Sequence, residues 1–156
     1  MKRENVFVVT TIALGFVAFW HALVTWPLSA TVVFFHVAIG MAFIGEAVVI
    51  SRGWLHHHLG LQIFGVPIYV LFGWAGTIYV AFRVSLVVTD GFLAVGLAAL
   101  IATAYDVIVD PRGVADGYWT YSEESPGPRF RGIPIWNFIG WFILTAVTAA
   151  ATLPFR

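Results

Sequence analysis

The stretch Leu28–Ile50, LSATVVFFHVAIGMAFIGEAVVI, runs 23 residues with a single charge, Glu46. About 20 predominantly apolar residues are what a helix needs to cross the hydrocarbon of a bilayer. The segment therefore reads as a membrane span with an acid near its end. Four more segments of this kind lie around it, at Val6–Trp26, Leu61–Phe82, Phe92–Val109 and Ile133–Leu153. The spans are thus expected at about 6–26, 28–50, 61–82, 92–109 and 133–153, the fourth being short. A tight turn at Trp26-Pro27 joins the first two. The expected fold is all-α: residues 1–156 form one polytopic helical membrane domain of five transmembrane helices. No soluble domain, internal repeat or low-complexity tract stands out.

Composition agrees. Hydrophobic residues make up 60% of the 156 and charged residues only 10%, against roughly 25% in soluble domains. Mean hydropathy is +0.91. A formal net charge of zero offers no electrostatic footprint for nucleic acid. The absence of cysteine excludes disulfides, thiolate nucleophiles and Cys-ligated metals. The N-terminal MKRENVF… resembles a secretory leader in charge, but its apolar run is about 20 residues, too long for an ordinary leader core. It reads as a retained first span.

Basic residues set orientation. Lys2, Arg3, Arg52, Arg112, Arg129 and Arg131 fall on the side of the N-terminus, and only Arg83 and Arg156 on the other. The expected N-terminus is cytoplasmic. Glu46, Asp106 and Asp110 then sit at similar depth, near the cytoplasmic ends of spans two and four.

Intramembrane carboxylates are costly and usually face a bundle interior or cavity. Asp106 and Asp110 are four apart and share one helix face, about 6 Å from each other. Close carboxylates in a poorly solvated place tend to split into one protonated acid and one ionised base. Asp110 also fits the start of a turn, because Pro111 follows it, and Glu46 also fits a pair with Arg52. Asp106 follows Tyr105 inside an apolar run and has no such alternative.

His56, His57 and His58 are consecutive, so they do not converge on one metal as an i, i+4 pair does; they read as a solvated interfacial loop. His21 lies about 9 Å and His36 about 14 Å from the Pro27 turn at 1.5 Å per residue, a poor match for two haem ligands. Trp26, Trp54 and Trp119 fit an interfacial belt. Tyr69, Trp74 and Tyr79 lie inside the third span, where they either line a cavity for a long apolar ligand or pack the bundle. Gly40, Gly45, Gly73, Gly76, Gly96 and Gly140 read as sites of close helix approach.

YDVIVDPRGVADGYWTY (105–121), FRGIPIWNFIGWF (130–142) and FGVPIYVLFGW (64–74) together resemble the membrane-bound carotenoid 1,2-hydratases, a family that includes the archaeal bisanhydrobacterioruberin hydratases. The shared elements are an acidic span end running into D-P, an aromatic G-x-W element, a G-(V/I)-P element before an aromatic span, and a segment ending N-F-x-G-W. Glu46 falls where that family has a glutamate on the preceding span. The chain is a shortened relative: members are usually longer, and their Tyr-Gly-rich stretch after the glutamate is here the shorter SRGWLHHHLG (51–60).

The resemblance implies addition of water to the terminal isoprenoid double bond of an acyclic carotenoid, in the cell membrane of a prokaryote, archaea included. It implies Asp106, Asp110 and Glu46 as the catalytic acids. Tyr105, Trp119, Tyr121, Asn137, Trp141, Trp74 and Tyr69 would bind substrate. Aromatic faces would stabilise a tertiary carbocation, and the chemistry requires no metal and no organic cofactor. The expected partners are a long polyene or isoprenoid and membrane lipid; a homo-oligomer or a partner membrane subunit stays open. The alternative from another class is a non-catalytic carotenoid- or lipid-binding subunit of the same fold. A tryptophan-rich five-span protein of the translocator type matches in size, but D-P, G-Y-W and N-F-x-G-W are not its signature.

Overall fold

The computed structural model describes residues 2–156. Its helices are α1 (Arg3–Thr25), α2 (Leu28–Ser51), α3 (Ile68–Val88), α4 (Gly91–Ala115) and α5 (Ile135–Thr152), the last closing in a 3-10 turn at Leu153–Phe155. All five are long and apolar enough to cross a membrane, with mean hydropathy between 1.6 and 2.2. Short strands fill the two long connections: β1 (Leu55–His57), β2 (Gln62–Ile63) and β3 (Val66–Pro67) before α3, then β4 (Trp119–Tyr121), β5 (Arg129–Phe130) and β6 (Ile133–Pro134) before α5.

Two helix boundaries differ from the sequence reading. The third helix starts at Ile68 rather than Leu61, because residues 62–67 fold into a β2–β3 hairpin. The fourth is not short. It runs on through Pro111 to Ala115, so Asp110 lies inside a helix and does not start a turn. The stop comes from Gly117, at φ 73°. Tyr118 N–H reaches Gly113 O at 2.9 Å and Gly117 N–H reaches Val114 O at 3.0 Å, which closes the helix end in a left-handed cap that glycine adopts without a Cβ clash.

The same cap closes α2. Trp54 N–H bonds Val49 O at 3.0 Å and Gly53 N–H bonds Ile50 O at 2.9 Å. This correspondence extends through the chain and corrects the reading that no internal repeat is present. Each of α2 and α4 is followed by one strand, one hairpin and one helix. GVPIYVLFGW (65–74) aligns without a gap on GIPIWNFIGW (132–141), with Gly, Pro, Ile, Gly and Trp shared. Both hairpin turns carry positive φ at two residues, Phe64 (52°) with Gly65 (82°) and Arg131 (52°) with Gly132 (84°), the geometry that fits the strand twist of a two-residue loop. β1 and β4 pair antiparallel with His56 opposite Thr120 at the centre. Leu55–Tyr121 and His57–Trp119 flank that centre symmetrically, so the strands meet about a pseudo-twofold axis.

Alanine dominates the core, with Ala22, Ala30, Ala38, Ala98 and Ala102 fully buried, and small side chains let apolar helices approach closely. α1 stands outside the repeat and packs on α3. A Cβ on Gly73 would come within 2.7 Å of Thr11 and one on Gly76 within 2.8 Å of Leu14. The other glycines expected at helix contacts, Gly40, Gly45, Gly96 and Gly140, face nothing within 4 Å. Trp26 is buried against Phe34, Tyr79 and Phe82.

Candidate functional site

Asp106 and Asp110 lie on the inner face of α4, 6% and 2% exposed. Opposite them, Asn137 lies in the first turn of α5. Its Nδ2 donates to Asp106 Oδ2 and to Asp110 Oδ2, both at 2.8 Å. One amide thus joins two buried carboxylates through its two N–H bonds. Asp110 has two further donors, Trp119 Nε1 at 2.5 Å on Oδ1 and Tyr121 Oη at 2.7 Å on Oδ2. Both come from β4, held by its pairing with β1. Gly113 makes room for this: a Cβ there would run into the Trp119 ring. Trp119 therefore lies over the C-terminal turns of α4.

Burial, and next the neighbouring Asp110 carboxylate, hold the Tyr121 phenol well above its ordinary pKa. It stays a neutral O–H donor.

Glu46, 8% exposed on α2, accepts from Trp74 Nε1 at 3.2 Å on Oε1 and meets His57 Nε2 at 3.1 Å on Oε2. It is not paired with Arg52, whose guanidinium stacks on Trp54 at 5.4 Å. Among the described residues no arginine or lysine pairs with Glu46, Asp106 or Asp110; the arginine–carboxylate pair on this side is Arg3–Asp116 at 3.3 Å. Trp74 and Trp141 stack face to face, centroids 3.6 Å apart and 13° from parallel.

All ten residues singled out from the sequence line one cavity of about 120 Å³: Glu46, Tyr69, Trp74, Tyr105, Asp106, Asp110, Trp119, Tyr121, Asn137 and Trp141. Tyr105, 46% exposed on α4, is the most exposed of the ten. Sequence reasoning missed the contribution of α1, Phe7, Thr11 and Leu14, and it missed His57. The histidine triplet is not a uniform solvated loop. His57 has a side chain 4% exposed, while His56 on the same strand faces out. The alternation of a strand, inward at Leu55 and His57, was the available signal. His21 bonds Tyr79 Oη at 2.7 Å and His36 its own helix at Val32 O, 2.8 Å.

Five apolar helices around an aromatic cavity that holds three acids define a multi-pass membrane protein with a polar site inside the bundle. Residues 5–155 match the family described as carotenoid biosynthesis protein, and the chain belongs to that family. No curated protein and no solved structure matches it significantly.

Proposed function

We propose that the protein adds water to the terminal isoprenoid double bond of an acyclic carotenoid. The observation that carries this reading is the carboxylate pair bridged by Asn137 at the base of an apolar, aromatic cavity. Asp110 receives three donors and Asp106 one, so the anion is better stabilised on Asp110 and the proton resides on Asp106. Asp106 delivers that proton to the less substituted alkene carbon: a C–H bond forms, the π bond breaks, and a tertiary cation is left. The Trp74–Trp141 stack and Trp119 offer aromatic faces to the cation, and the Asp110 carboxylate offers charge. Water then adds to the tertiary carbon, held by the free acceptor side of the Asn137 amide. The cavity of about 120 Å³ receives the isoprenoid terminus, while the remaining polyene stays in the bilayer.

Expression of the chain in a host that accumulates acyclic carotenoids tests this. Pigment extracts are expected to gain a product heavier by one water, with an unchanged chromophore. If several acyclic carotenoids all stay unhydrated, the non-catalytic binding subunit takes the place of the enzyme.

We also propose that the N-terminus and both strand-bearing connections face the cytoplasm of a prokaryotic cell, because six of the eight basic residues lie there. Glu124→Cys in the β4–β5 connection is expected to resist an impermeant thiol reagent in intact cells, and Asp90→Cys in the α3–α4 turn to react. The reverse pattern would overturn the orientation.

A further inference from the structure

We propose that His57 is a second catalytic group, the base that takes the proton of the attacking water, held in the required tautomer by Glu46; the inference rests on the hydration reading above. Glu46 is occupied at both oxygens, by the Trp74 indole N–H on one and by His57 Nε2 on the other. An indole nitrogen only donates and an ionised carboxylate only accepts. A neutral imidazole in this contact carries its hydrogen on Nε2 and keeps its lone pair on Nδ1. Nδ1 meets the Tyr69 hydroxyl at 3.5 Å, a contact at the outer limit of a hydrogen bond that water can displace, and His57 lines the same cavity as Asp106. A carboxylate that fixes a histidine tautomer from behind, leaving the other nitrogen to handle a proton, is the arrangement that general-base catalysis requires.

A purely structural strap between β1 and α2 would need only the Nε2 bond. It would not need the ring to line the cavity that holds Asp106. The groups around the imidazole come from four elements: Glu46 on α2, Tyr69 on α3, Asp110 on α4 across the cavity, and Trp119 and Tyr121 on β4.

The step balances without a further reactant. After Asp106 has protonated the alkene, a lone pair of the water oxygen forms the C–O bond to the tertiary cation. One O–H bond of the resulting oxonium breaks toward His57 Nδ1, leaving a tertiary alcohol, an imidazolium and the Asp106 carboxylate. The imidazolium returns its proton through water to Asp106. The sum is alkene plus water giving alcohol. Glu46 is a positioning residue here, and Asp106 and His57 act on opposite ends of the addition.

The test uses the full chain in lipid nanodiscs with an acyclic carotenoid. His57→Gln is expected to lower kcat for hydration by about 10²-fold or more, with KM nearly unchanged and partial recovery when free imidazole is added. In ¹⁵N-histidine-labelled protein at neutral pH, the resonance that disappears in His57→Gln is expected to show a protonated Nε2 and a bare Nδ1, and Glu46→Gln is expected to redistribute that tautomer. This second readout does not depend on turnover. A His57→Gln variant that folds and keeps kcat within twofold of the wild type overturns the proposal, as does an Nδ1-protonated tautomer in the wild type. A wild-type protein with the expected tautomer that makes no alcohol overturns the hydration reading, and the catalytic role of His57 falls with it.

Discussion

Asp106→Asn is expected to reduce hydrated carotenoid by about 10²–10⁴-fold, the usual contribution of a positioned general acid, while the protein still folds and inserts. The substitution keeps the side-chain volume and removes only the acid. Asp106 makes one protein hydrogen bond, to Asn137 Nδ2, and an amide oxygen at the same place accepts it equally well. Loss of stability is therefore small, and the thermal midpoint in detergent is expected to stay close to that of the wild type. Asp110→Asn is the informative companion, because it leaves the acid and removes the neighbouring charge. Its product yield is expected to fall less than that of Asp106→Asn. If Asp106→Asn hydrates at the wild-type rate, the acid is another group, and Glu46 is the next to test.

Asn137→Leu is expected to damage both stability and chemistry. Two buried carboxyl groups share the Asn137 amide, and leaving a buried polar group short of a partner costs about 1–3 kcal/mol, more where the group is charged. A combined loss of about 3 kcal/mol should appear as a clear drop in the thermal midpoint, with hydrated product reduced at least as much as in Asp110→Asn. The double variant Asp106→Leu with Asn137→Leu should recover part of the lost stability, because removing both partners of a buried contact costs less than removing one. A midpoint unchanged in Asn137→Leu alone would mean that the amide does not bridge the pair.

The five spans were legible because apolar runs of membrane length have few other readings. Asp106 with Asp110, and Asn137 with Trp141, were legible as neighbours because helical spacing places residues four apart on one face. What brought the two pairs together was the packing of α4 on α5, which spacing within one segment does not encode. His57 escaped because a three-residue strand is too short for its alternation to stand out between two other histidines. The repeat escaped for a similar reason. The cap glycines Gly53 and Gly117 are 64 residues apart, but the hairpin glycines Gly65 and Gly132 are 67 apart, since the second connection is three residues longer. A slip of three breaks any fixed-period comparison, while the folded strands and hairpins absorb it in the loop before β5.

That repeat bears on how the site divides its work. A chain whose halves meet about a twofold axis has the geometry of a homodimer joined end to end. In a true homodimer every group near the axis comes in identical pairs. Glu46 and Asp110 each precede their cap glycine by seven residues, so they occupy equivalent places, as do the stacked Trp74 and Trp141. Strict symmetry forbids specialisation, because no substitution can change one member of a pair alone. A single chain is free of that restriction. Only the second half has an aspartate one turn before the shared acid position, where the first half has Ala42, and only the second half has an asparagine where the first has Val70. The first half pairs its carboxylate with His57, where the second half has Tyr121. Two equivalent positions thus hold unlike acids within a single bundle.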